Sequence, residues 1–128
     1  MLRDRGETAP AVAAYERALA VRRKAYGDRH PEVAQSWQDL ARGRLAAGDL
    51  AGGFAAARTS LEVFRATLPA DSSQLAGGLF YLGDILRQNG RSSEGVPYLE
   101  EALAIWERKP PSNPKDLENL RAALADAR

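Results

Sequence analysis

Glu16-Arg17-Ala18-Leu19-Ala20-Val21 and Glu100-Glu101-Ala102-Leu103-Ala104-Ile105 are nearly the same phrase, written 84 residues apart. Halfway between them, Arg58-Thr59-Ser60-Leu61-Glu62-Val63 keeps the apolar positions and sets the period at 42. Further columns hold this register. Gly6, Gly48 and Gly90 form one, and Val12, Phe54 and Val96 another. Val33, Leu75 and Leu117 align, as do Leu40, Leu82 and Leu124. Columns kept over nearly the whole chain mark a tandem repeat, whose units bury their apolar faces by stacking on their neighbours.

Each period holds two helical patterns. Val33, Trp37, Leu40, Ala41 and Leu45 form one stripe, and Phe54, Ala57, Leu61, Phe64 and Leu68 the next. The alternating steps of three and four are those of an amphipathic helix. Gly48 and Gly90 fall between paired helices, where a glycine ends one helix in the left-handed conformation before a tight turn. His30-Pro31 and Asn113-Pro114 set proline at a first helical position. Thr8, Ser72 and Asn113 are expected N-caps, and Pro97 is tolerable inside the fifth helix if Ser93 caps it, since it then removes only a first-turn hydrogen bond. The spacing predicts helices over 9–26, 31–47, 51–67, 73–89, 93–108 and 114–126.

The fold class follows: all-α, with antiparallel helix pairs stacked as a short right-handed α-solenoid. Residues 1–128 read as one repeat domain. It comprises an N-terminal half-repeat over 6–27, repeats over 28–69 and 70–111, and a capping helix over 112–128. Leu40, Leu61, Leu82 and Leu103 are expected to be buried. Trp37 and Trp106 lie on the buried stripes. Leu117, Leu120 and Leu124 are expected to face inward.

Composition narrows the functional classes. With 128 residues and 45% hydrophobic content, the chain can build a packed core. No cysteine means no disulfide, thiolate metal site or cysteine nucleophile. The net charge of +1 gives no bulk attraction to nucleic acid or to an anionic membrane. The most apolar run, from Leu75 to Ile85, is broken by Gly77, Gly78, Gly83 and Asp84 and is too short to span a bilayer. No signal-peptide core precedes the first repeat, so the chain reads as soluble and cytoplasmic. No catalytic, metal or cofactor set is expected. His30, the single histidine, reads as a residue at the start of a helix. Glu100 and Glu101 point about 100° apart on a helix and form no acid–base dyad. Arg22-Arg23-Lys24 reads as a solvated helix end that favours the macrodipole.

In this pattern the sequence resembles the tetratricopeptide repeat family, in the 42-residue form found in kinesin light chains and many bacterial proteins. The usual repeat of roughly 34 residues is shorter by about one turn per helix. Tyr26-Gly27-Asp28-Arg29-His30-Pro31-Glu32-Val33-Ala34 is similar to the family's linker, and the two opening phrases are similar to its second helix. Gly53 and Gly95 stand where the family usually has alanine. The asparagine pairs that often precede the Leu40 column are replaced by Gln38-Asp39, Phe80-Tyr81 and Ala122-Ala123. The resemblance implies a protein–protein interaction scaffold that binds a peptide or protein segment in the concave groove of the first helices. The residues themselves lead to the expectation of no enzyme activity, cofactor, nucleic acid or membrane partner.

On that face the candidate contacts are Gln38, Arg42, Phe80, Tyr81, Asp84 and Arg87, expected to line one surface. Phe80 and Tyr81 point away from the core stripe of their helix, flanked by charges of both signs. The alternatives are a self-association module, or a fragment of a larger regulatory or signalling protein. The N-terminal helix begins the array without its usual partner, leaving Val12, Tyr15 and Leu19 short of cover. Either a weak homodimer or preceding repeats are expected to protect that edge.

Overall fold

A computed structural model describes the backbone of residues 2–128 and the side chains of residues 10–128. Six helices follow one another, α1 (Leu2–Tyr26), α2 (Pro31–Ala46), α3 (Leu50–Thr67), α4 (Ser73–Gln88), α5 (Ser92–Arg108) and α6 (Pro114–Ala127). No strand occurs among the described residues.

Local chemistry explains the helix ends. The His30 imidazole Nδ1 accepts the Glu32 N–H at 3.0 Å and caps α2, while its ring stacks on Tyr26 at 4.3 Å. The Ser72 hydroxyl accepts from the N–H groups of Gln74 and Leu75, and the Asn113 side chain accepts from that of Lys115. These caps satisfy amide donors that a helix start leaves without partners. Gly48 and Gly90 close the α2–α3 and α4–α5 turns at φ of +89° and +77°, where a Cβ would be strained. Gly27 ends α1 in the same way.

The helices form two compact units, residues 1–67 and 68–128. In the first, α2 packs against both α1 and α3. Leu19 of α1 meets Val33 and Leu40 of α2, with Val12, Tyr15 and Trp37 around them. Two polar links accompany this core: Arg22 donates to the Ser36 hydroxyl at 2.8 Å, and the buried Ser60 hydroxyl of α3 donates to the Ala34 carbonyl of α2 at 2.7 Å.

In the second unit, α5 packs on α4 and α6, and α4 also meets α6. Leu75, Leu79, Leu82, Leu86, Leu99, Leu120 and Leu124 fill its core. Trp106 of α5 is buried, and its indole N–H donates to the Ser73 carbonyl of α4 at 3.0 Å. Lys109, just after α5, pairs with Asp71 at 3.0 Å. Its hydrogen bond and charge hold the Asp71 carboxyl below the usual carboxylate range.

Several expectations change. Helix α1 begins at Leu2 rather than residue 9, running through Gly6, the column expected to turn. The expected cap at Thr8 lies outside the described side chains. Helix α5 starts at Ser92, so Arg91 rather than Ser93 is its N-cap, and Pro97 lies within the helix. Leu40, Leu61 and Leu82 are buried, but Leu103 is only half-buried. Its counterpart Leu19 packs near Trp37 of the following helix; α6 has Arg121 in that column, and Arg121 reaches toward Glu107 at 3.9 Å. Leu120 and Leu124 are buried, whereas Leu117 is half-buried. Val12, Tyr15 and Leu19 are not the uncovered side of α1, because that face meets the following helix α2.

Candidate functional site

Phe80, Asp84 and Arg87 fall at i, i+4 and i+7 of α4 and therefore share one face. Opposite them α6 presents Asn119, Ala122 and Ala123, and the six residues line an open groove of about 500 Å³. One period back, these α6 positions correspond to Gly77, Phe80 and Tyr81. The pocket thus lies between the same faces of two successive first helices, and small alanines opposite Phe80 leave the space open.

Phe80 is half-buried and makes an edge-to-face contact with Trp106, with centroids 5.7 Å apart and planes at 78°. That contact fixes the ring while it still lines the pocket. Arg87 holds the other end. Its Nε and Nη2 donate to Asp84 Oδ1 at 3.0 and 2.7 Å, and its Nη1 donates to Asp126 Oδ2 at 2.7 Å. Gln88 donates to the second Asp84 oxygen at 3.0 Å. Hydrogen bonds to Asp84 and then Asp126 push the guanidinium further up, so it stays a cation clamped between two carboxylates.

The structure therefore brings together three of the six expected residues. Tyr81 is half-buried on the same helix but does not line the pocket. Gln38 and Arg42 belong to α2 of the first unit, where Arg42 pairs with Asp39 at 3.4 Å and Gln35 donates to Asp39 at 3.3 Å. The α6 side of the pocket was missed, although the repeat columns already equate Ala122 with Phe80. Among the described residues, no group of three or more His, Cys, Asp or Glu could hold a metal ion. No helix among them is long and apolar enough to cross a membrane.

Antiparallel helix pairs repeated at a fixed period define a helical-repeat protein of the α-solenoid class. The tetratricopeptide repeat family model matches residues 1–66, and a second model of that family matches residues 81–109. The chain belongs to the tetratricopeptide repeat (TPR) family. Among solved structures it is similar to the nearly identical TPR-like repeats of a candidate kinesin light chain from Podosopora anserina, with 24% identity and a TM-score of 0.83. The match covers 95% of this chain and 58% of that one. A point-substituted form of those same repeats gives a TM-score of 0.84 at 24% identity, covering 95% of this chain and 57% of that one. This chain thus spans less than two thirds of either neighbour. No curated protein matches it. TPR repeats generally mediate protein–protein interaction, and scaffolds of this family are generally non-enzymatic.

Proposed function

We propose that the chain is an interaction scaffold that takes a peptide or protein segment in the groove between α4 and α6. The observation that carries this reading is the half-buried Phe80, held by Trp106 and lining a pocket of about 500 Å³. An aromatic side chain already ordered before binding loses little entropy on contact, which suits an interface anchor. The clamped Asp84–Arg87–Asp126 cluster supplies a polar rim beside it. Gln38 and Arg42, in the matching face of α2, are proposed contacts of the first unit in their own right.

Ala122 offers a clean test because it lines the pocket yet is exposed. Peptides selected from a displayed random library on the immobilised chain are expected to bind at least tenfold more weakly to Ala122→Arg, with the melting temperature unchanged. Phe80→Ala should weaken the same peptides as strongly, at some loss of stability through Trp106. Peptides that bind Ala122→Arg as well as the parent chain would remove the groove as the site.

A further inference from the structure

The polar end of the α4–α6 groove carries a net sign. Asp84 and Asp126 stand 42 residues apart in one repeat column, so two successive first helices present a carboxylate at the same level. Arg87 bridges them, donating twice to Asp84 Oδ1 and once to Asp126 Oδ2. One guanidinium between two carboxylates leaves a negative charge over. Exposure decides which group a partner meets first. The Asp126 side chain is 67% exposed and that of Arg87 only 21%. The cation therefore lies behind the acids, and a carboxylate is presented outward. On α2 the same column holds Arg42, so the paired acids belong to α4 and α6.

Helix α4 shows that this column faces the groove and not the helix that comes next in the chain. Its following helix α5 is in place and packs beside Gly83, where a Cβ would stand 2.8 Å from the Leu99 side chain. Phe80, Asp84 and Arg87 nevertheless stay half-buried and line the groove. Asp126, in the column of Asp84, reaches Arg87 on that same side. Phe80 and Ala122 form a second column, four residues nearer the helix starts. Four helical residues rise about 6 Å. An extended chain covers that rise in two residues, at about 3.3 Å each, and side chains two apart point to the same side.

We propose that the partner of this groove is an extended protein segment with a basic side chain two residues from an apolar one. The apolar side chain packs between Phe80 and Ala122, and the basic one meets the carboxylates of Asp126 and Asp84. The inference rests on the α4–α6 groove being the binding site. An acidic segment would meet the exposed carboxylate first and would find Arg87 already paired.

The probe is a pair of displayed peptide libraries, random except for a fixed leucine and, two positions on, arginine in one and glutamate in the other. On the immobilised chain, the arginine library is expected to be recovered at least tenfold better. Ala122→Gln, which fills the groove without adding charge, should cut that recovery at least tenfold. Asp126→Lys should reverse the preference and Asp126→Asn should remove it. Both should leave the melting temperature in place, because an exposed ion pair contributes little to stability. Better recovery of the glutamate library, still lost in Ala122→Gln, overturns the basic partner and leaves the groove standing. Recovery of arginine peptides that ignores Ala122→Gln overturns the groove and the inference together. Equal recovery of the two libraries, at background or above it, overturns the inference, and so does a preference for arginine that survives Asp126→Lys.

Discussion

Leu82→Ala is expected to lower the free energy of unfolding by about 2–5 kcal/mol, the range for a leucine truncated in a close-packed core. Leu82 is 1% exposed and shares the interior of its unit with Leu75, Leu79, Leu86, Leu99 and Leu120. The packed helices leave little freedom to collapse around a missing isobutyl group, so most of the cavity should persist. A loss of that size is a large share of the stability of a small domain. The denaturant midpoint should fall with the m-value unchanged. An unmoved midpoint would contradict the 42-residue register at this column, since that register is what places Leu82 in the core.

Gly95→Ala is the second large effect. A Cβ at Gly95 would stand 2.6 Å from the Gly83 carbonyl oxygen, and one at Gly83 would stand 2.9 Å from the Gly95 oxygen. Both obstacles are backbone, so α4 and α5 must separate to admit a methyl group. Such overpacking costs about 1–3 kcal/mol, and it outweighs the gain of about 1 kcal/mol that alanine brings to a helix interior. Gly77→Ala is the matched control. A Cβ there meets only the Trp106 ring at 4.0 Å, so stability should hold or rise by about 0.5–1 kcal/mol. Paired thermal melts of the two variants separate close approach from helix propensity. Equal behaviour would mean that the Gly83–Gly95 crossing does not set the spacing of the two helices.

The parts of the fold legible in the sequence were those decided within one turn of chain. Pro31, Ser72, Asn113, Gly48 and Gly90 set their helix ends through local caps and backbone preference, and the structure keeps each of them. Where a neighbour decides, the columns misled. Leu103 and Leu19 share a column but differ in burial because α2 offers Trp37 where α6 offers Arg121. The same limit hid half of the pocket. Arg87 and Asp126 lie 39 residues apart, and no short-range pattern announces their pairing. Phe80 was recognised because an aromatic facing away from a core stripe is conspicuous, whereas Ala122 matters only for the space it leaves. On α1, Val12 and Val21 look alike in sequence, and only the placement of α2 tells the covered side from the open one.

The chain has two tryptophans, and they divide between the units, Trp37 half-buried in the first and Trp106 buried in the second. Each unit thus carries its own optical reporter. Trp106 touches Phe80, so occupation of the α4–α6 pocket is transmitted to a buried indole and should change its emission, while Trp37 serves as an internal reference. Replacing either one by phenylalanine leaves a single-emitter protein, whose fluorescence shows whether the two halves of the array melt together or one after the other.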